Sequence, residues 1–109
     1  VTTITALSDA RDKDNIYDLT GALALIRAIR PVRFDWNMRD GGKVGVADTG
    51  FIAQDLQQAQ VVTGTFIPGL VYEENPDRLE AGYGKLIPVL VKAIQELSTK
   101  VAELEARLG

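Results

Sequence analysis

A serine and a lysine near the start of the chain are the residues whose types and spacing permit covalent chemistry. Ser8 and Lys13 lie within the polar stretch SDARDKDNI, residues 8–16. A serine hydroxyl becomes a good nucleophile only when a base removes its proton, and the chain contains no histidine to act as that base. A lysine amine can take this part, as in Ser-Lys variants of the catalytic triad. The two residues are therefore a candidate nucleophile and base.

The spacing of the pair sets a condition on the structure. Side chains five positions apart do not stack on one helix face, so Ser8 and Lys13 must meet through a turn, which the Asp and Asn residues around them favour. Lys13 must also be neutral to accept a proton, and burial favours the neutral form of a lysine. We expect a subunit interface to provide that burial. By itself, the stretch 8–16 is more typical of an Asp-rich capping turn without catalysis, in which Arg11 pairs with an aspartate.

Composition excludes most other kinds of site. The 109 residues contain no cysteine and no histidine, which rules out disulfides, thiol nucleophiles and Cys/His zinc sites. The net charge of -3 argues against a dedicated nucleic-acid binder, and no apolar run approaches the ~20 residues that span a bilayer. We therefore expect one domain with no metal, no cofactor, no nucleic-acid partner and no membrane partner.

Short strands and helices are predicted on both sides of the polar stretch 8–16, before the C-terminal region begins. We interpret Phe34 and Trp36, on one side of an alternating strand, as core residues, and RDGGKVG at 39–45 as a hairpin, because it lacks the phosphate-loop pattern. The predicted elements are a strand over 1–7, a helix capped by Thr20 with Leu23, Ile26 and Ile29 on one face and Pro31 at its end, strands at 32–36 and 70–72, and a strand running into a helix over 50–59.

The C-terminal region carries the strongest structural signal. Apolar residues alternate at spacings of three and four, the heptad pattern of a coiled coil, in a helix that Pro88 places from about Lys85 onward. Single-domain helices rarely hold this repeat through three heptads, so association is favoured over packing on the same domain. Val or Ile at a with Leu at d favours two strands, while Val91 at e and Ala93 at g widen the apolar face. The residues of this seam are Ile87, Leu90, Ile94, Leu97, Val101, Leu104 and Leu108.

Four stretches, in this order, resemble the C-terminal intramolecular chaperone domain of phage tailspikes and tail fibres, also called the peptidase S74 domain. They are SDARDKDNI at 8–16, ALIRAIRPVRFDW at 24–36, GFIAQDLQ at 50–57 and GYGKLIPVLVKAIQELSTKVAELEARL at 82–108. The expected fold is α+β, with a small globular part of short strands and helices followed by a long C-terminal helix in a parallel trimeric coiled coil. The expected division is an upstream fibre end at 1–7, a globular chaperone and self-cleavage region at 8–84 and the coiled-coil helix at 85–109.

The resemblance also implies a function. The nucleophile is then Ser8, its helper is Lys13, and the scissile bond is Leu7–Ser8, cut once in cis. The family's trimeric state replaces the two strands that the seam alone favours. The expected partners are two further copies of the chain and the fibre segment upstream. The expected location is the host cytoplasm during virion assembly, followed by release from the mature fibre. The alternative is a non-cleaving trimerisation tip that stays attached, and a hydrolase acting on other chains is the least favoured class.

Overall fold

The computed structural model describes residues 5–109, so most of the strand predicted at 1–7 lies outside the described residues, and 5–7 have no regular secondary structure. Helices and short antiparallel strand pairs follow one another with a long helix at the end, as the sequence predicted. The elements are a 3₁₀ turn at Ala10–Asp12, α1 (Ala22–Ala28), β1 (Val32–Asn37), β2 (Val44–Gly50), α2 (Ala53–Thr63), β3 (Val71–Tyr72), β4 (Glu80–Ala81), a 3₁₀ turn at Tyr83–Lys85 and α3 (Leu86–Leu108).

The buried core lies where the three helices meet. The three apolar residues predicted to share one face of α1 are half-buried at the margin of the core, and Ile29 lies just beyond the helix; these residues are Leu23, Ile26 and Ile29. The reason is that α3 packs along the other side of α1, where Ala22 is small enough to allow a close approach. The core residues are Ala22, Leu25, Leu56, Ala59, Leu70, Leu86, Val89 and Ala93.

The start of α1 differs from the prediction. The N-cap residue is Gly21 rather than Thr20, and Gly21 has a φ of 71°, in the left-handed region that glycine tolerates best. The Ala22 N–H donates to Glu96 Oε1 of α3 at 3.0 Å, and the Thr65 hydroxyl donates to the Gly21 carbonyl at 3.3 Å. Contacts from distant elements therefore replace a local side-chain cap.

The hairpin of β1 and β2 is predicted correctly, but its aromatic residues are not core. The strands pair antiparallel and the RDGG stretch at 39–42 makes the connection. Phe34 and Trp36 lie edge to face with ring centroids 5.0 Å apart, both half-buried and outside the core cluster. Trp36 instead donates its indole N–H to Asp48 Oδ2 at 3.1 Å. The alternating pattern correctly identified the less exposed face of the strand. That face is not part of the core, because the core forms among the helices.

Two faces of α3 have different environments. The helix begins at Leu86 with Pro88 in its first turn, close to the predicted start. One face, with Leu86, Val89 and Ala93, is buried against the domain of the same chain. Ala93 therefore does not widen the seam as predicted. The seam residues lie on a neighbouring face and are each between 45% and 89% exposed. A face packed on the domain and an exposed apolar seam with heptad spacing thus occur on the same helix.

The chain exposes more surface than a compact folded monomer of its size. Its accessible area is 8841 Å², whereas a folded monomer of 11.8 kDa exposes about 5900 Å². Its radius of gyration is 17.4 Å, compared with about 13 Å for a compact domain of this length. Every residue from 97 to 109 is exposed. The excess surface reflects an extended shape, in which much of the chain lies outside the compact core.

Candidate Ser-Lys site

A single 3₁₀ turn brings the candidate nucleophile and base together. Within Ala10–Asp12 the chain folds back on itself, with the Asp12 N–H donating to the Asp9 carbonyl and the Lys13 N–H donating to the Ala10 carbonyl. Lys13 Nζ then lies 2.9 Å from Ser8 Oγ, within hydrogen-bond distance. The turn that the five-residue spacing requires is present, and it places the two side chains in direct contact.

Asp9 and Arg11 hold this turn in shape. Asp9 caps the turn by accepting the Arg11 N–H at 2.9 Å, and its Oδ2 forms an ion pair with Arg11 Nη2 at 2.7 Å. The side-chain hydrogen bonds from Arg11, followed by the Arg11 backbone N–H, lower the pKa of Asp9 from its ordinary value. The Arg–Asp pair is present as predicted. The capping turn and the Ser-Lys contact are therefore parts of one structure rather than alternatives.

The direction of the Ser-Lys hydrogen bond determines what the pair can do. An ammonium can only donate, so a protonated Lys13 offers a hydrogen bond to Ser8 Oγ. A neutral Lys13 amine can accept the hydroxyl proton along the same line, and 2.9 Å is within the distance that such a transfer needs. The geometry thus suits general-base catalysis once the lysine has lost its proton.

The segment carrying the pair is exposed on the single subunit. Ser8 and Lys13 are both exposed, and Leu7, the other side of the predicted scissile bond, is fully so. Ile16 and Tyr17 are 69% and 83% exposed although both are largely apolar. On the single chain, the candidate nucleophile and base therefore both lie in solvent.

The two sites predicted from the sequence lie on different parts of the chain. The Ser-Lys pair precedes α1, whereas the seam follows the domain along α3. One residue that sequence reasoning missed is Glu96 on α3, whose carboxylate accepts the Ala22 N–H at the start of α1. Its heptad position, away from the seam, marks it only as a polar surface residue, so the periodic pattern contains no signal for this contact.

The structure also bears on metals and membranes. Across residues 5–109, no group of three or more His, Cys, Asp or Glu side chains is arranged to hold a metal ion. Over the same residues, no helix is both long enough and apolar enough to cross a membrane.

Together, the fold and the site define a small α+β module with an exposed Ser-Lys pair at one end and a long amphipathic helix at the other. Residues 8–72 match the Peptidase S74 family, described as the chaperone of endosialidase. Since the match covers more than half of the chain, the chain belongs to this family. Three of the four stretches that indicated the family lie within the match, and the fourth, at 82–108, lies beyond it. No curated protein matches the chain.

Proposed function

We propose that this chain is an intramolecular chaperone that trimerises, assists folding of the phage tail fibre or tailspike segment upstream, and then releases itself by cutting between Leu7 and Ser8. The chaperone role follows from membership of the family. The observation that supports the proposed self-cleavage is the 2.9 Å contact between Lys13 Nζ and Ser8 Oγ. The family match also begins at Ser8, the residue that would become the first of the released fragment.

The proposed reaction is an acyl shift followed by hydrolysis. Neutral Lys13 accepts the Ser8 hydroxyl proton while Oγ attacks the Leu7 carbonyl carbon. The C–N bond between Leu7 and Ser8 then breaks, and Lys13 returns the proton to the departing Ser8 nitrogen. Leu7 is now joined to Ser8 Oγ as an ester. Water cleaves this ester, leaving a Leu7 carboxylate and restoring the serine hydroxyl. Each chain is cut once, without a cofactor.

The assembly state is supported by the exposed seam. Seven apolar residues on one face of α3 remain between 45% and 89% exposed in the single chain. Burying them against the same face of other copies removes apolar surface from water, which is the main driving force of association. The seam residues alone favour two strands, while the family resemblance favours three. We therefore propose a parallel homotrimer that assembles in the host cytoplasm during virion assembly.

The second candidate function is a trimerisation tip that stays attached to its fibre. The observation in its favour is the exposure of Lys13, which leaves the amine in water on the single subunit. In this case Ser8 and Lys13 belong only to the capping turn. The two functions share the seam and differ in the fate of the Leu7–Ser8 bond.

Intact mass after expression with a long upstream fibre segment separates these functions. Self-cleavage gives two products that divide at Leu7–Ser8, and the attached tip gives one. Ser8→Ala should abolish cutting without affecting assembly, because only Oγ is lost. Lys13→Arg should slow it by roughly 10³-fold or more, since a guanidinium stays protonated and cannot act as base.

Two matched controls are available on the exposed part of α3. Ser98→Ala and Lys100→Arg make the same chemical changes far from the turn, and both variants should cut at the wild-type rate. An uncut wild-type trimer would reject self-cleavage and select the attached tip. Full-rate cutting by Lys13→Arg would instead show that Lys13 is structural.

A further inference from the structure

The N-terminal end of α1 is tied to the helix that carries the seam. Glu96 Oε1 accepts the Ala22 N–H at 3.0 Å across a part-buried contact between elements far apart in sequence. On the other side, the Thr65 hydroxyl donates to the Gly21 carbonyl at 3.3 Å. A side chain at Gly21 would meet the Thr65 hydroxyl oxygen at 2.6 Å, so the packing here is close. The chain is thus clamped at the point where α1 begins.

This clamp lies directly after the connection to the Ser-Lys pair. Residues 14–20 contain no helix or strand, and all except Leu19 are exposed. Leu19 packs against the margin of the core. Asp18 and Leu19 line a shallow groove together with residues 88, 91, 92 and 95 of α3. The connection therefore runs beside the seam helix before it reaches Glu96.

We propose that Glu96 is a positioning residue for self-cleavage, which fixes the chain behind the Ser-Lys turn to the helix whose other face assembles the trimer. The inference rests on the proposed function. Glu96 touches neither Ser8 nor Lys13 and takes no part in proton transfer. Its contribution is to give residues 8–16 a defined place relative to the coiled coil, and therefore relative to a neighbouring subunit. Assembly would then determine where the reacting side chains lie.

The chain offers a closely matched set of variants. Glu96→Ala removes the acceptor, while Glu96→Gln keeps a carbonyl oxygen that can accept the same N–H. Glu103 is seven residues later on the same helix, at the same heptad position, and is exposed. Glu103→Ala therefore removes an equivalent charge from the distal part of α3. All three changes are made in the precursor with its upstream fibre segment.

The first measurement is the rate of cleavage of the assembled trimer. Glu96→Ala should cut about fivefold to tenfold more slowly, because loss of one helix-capping hydrogen bond lowers the population of the positioned arrangement by about that factor. Glu96→Gln and Glu103→Ala should cut at nearly the wild-type rate, and all should sediment as the wild type does. The pH–rate profile of Glu96→Ala should keep its midpoint, because positioning lowers the rate at every pH. A wild-type rate for Glu96→Ala, or a shifted midpoint, would overturn the positioning role.

The second measurement separates this inference from the proposed function. In a Ser8→Ala precursor no cutting occurs, and amide hydrogen exchange reports the clamp directly. Glu96→Ala should accelerate exchange at Ala22 by about tenfold, while Glu96→Gln and Glu103→Ala should not. Unchanged exchange would reject the clamp even if the wild type cuts itself. Accelerated exchange in a protein whose wild type never cuts would confirm the contact, reject self-cleavage and overturn Glu96 as a residue that positions it.

Discussion

The two halves of α3 have nearly the same apolar spacing and very different surroundings. In the proximal half, Leu86, Val89 and Ala93 are at most 4% exposed against the core of the same chain. In the distal half, every residue from 97 to 109 is exposed, including four apolar seam residues. The proximal half is stabilised as a helix by packing on its own domain. The distal half lacks this tertiary packing, which supplies most helical stability.

This difference indicates how one helix would connect folding of the domain with the proposed assembly. The seam runs past both halves, but only the proximal half also has a second apolar face that anchors it. A helix with no contact to its own domain could assemble without any effect on the position of that domain. Because α3 is anchored beside α1, the proposed pairing of the seams would also set the orientation of the domains that carry Ser8 and Lys13.

The largest expected effect comes from a charge in the proximal half. Val89 is fully buried, so Val89→Asp places an unpaired carboxylate in the core and costs several kcal/mol, comparable with the whole stability of a small domain. We expect loss of the cooperative thermal transition measured by circular dichroism. Gln95→Asp, on an exposed position of the same helix, should melt nearly as the wild type does. A normal transition for Val89→Asp would show that the domain does not depend on α3.

Charges in the distal half should separate assembly from folding. Leu97→Asp combined with Leu104→Asp puts carboxylates into the seam and should dissociate the trimer in sedimentation experiments. The freed distal residues should lose helicity, because isolated helices shorter than about 12–15 residues are marginal in water. The domain should still melt cooperatively. An unchanged trimer would remove the coiled coil from the proposal.

The same seam variant, with Ser8 and Lys13 intact, should cut slowly or not at all at neutral pH. The reason is that the single chain leaves Lys13 exposed, and in the proposed trimer a neighbouring copy would bury it. Product mass over time measures the effect. Recovery at alkaline pH would show that protonation of Lys13 is the remaining defect, while continued inactivity would show that the geometry is also lost. Full-rate cutting by a proven monomer would break the link between assembly and cleavage.

The smallest expected effect concerns the turn itself. The hydrogen bonds from Arg11 lower the pKa of Asp9, so the stabilisation is present above the ordinary carboxyl pKa and is lost as the pH falls through the lower folded value. A carboxyl titration by NMR should show this depression, and Arg11→Gln should move the pKa back towards its ordinary value. The melting temperature should hardly change, because the ion pair is solvent-exposed. Arg33→Gln, on β1, serves as the control and should leave the Asp9 titration unaltered.

Local patterns in the sequence were sufficient to predict the main helices and strands. They also predicted that a turn must lie between the two residues of the candidate site. The heptad repeat and Pro88 predicted the extent of α3, and alternation over 32–36 predicted β1. Ser8 and Lys13 required a turn, and the Asp-rich stretch between them provides it. These predictions succeed because helix periodicity, strand alternation and turn formation depend on neighbouring residues.

Only the tertiary structure determined which apolar side chains are buried and which polar side chains form hydrogen bonds with distant residues. It buried Ala93 in its own domain, left Phe34 and Trp36 outside the core, and capped α1 with Glu96 instead of Thr20. A periodic pattern identifies the apolar side of a helix or strand, but it contains no information about which distant element arrives there. The cap from Glu96 depends on a contact across 74 positions of the chain, and only packing of α3 against α1 brings those two residues together.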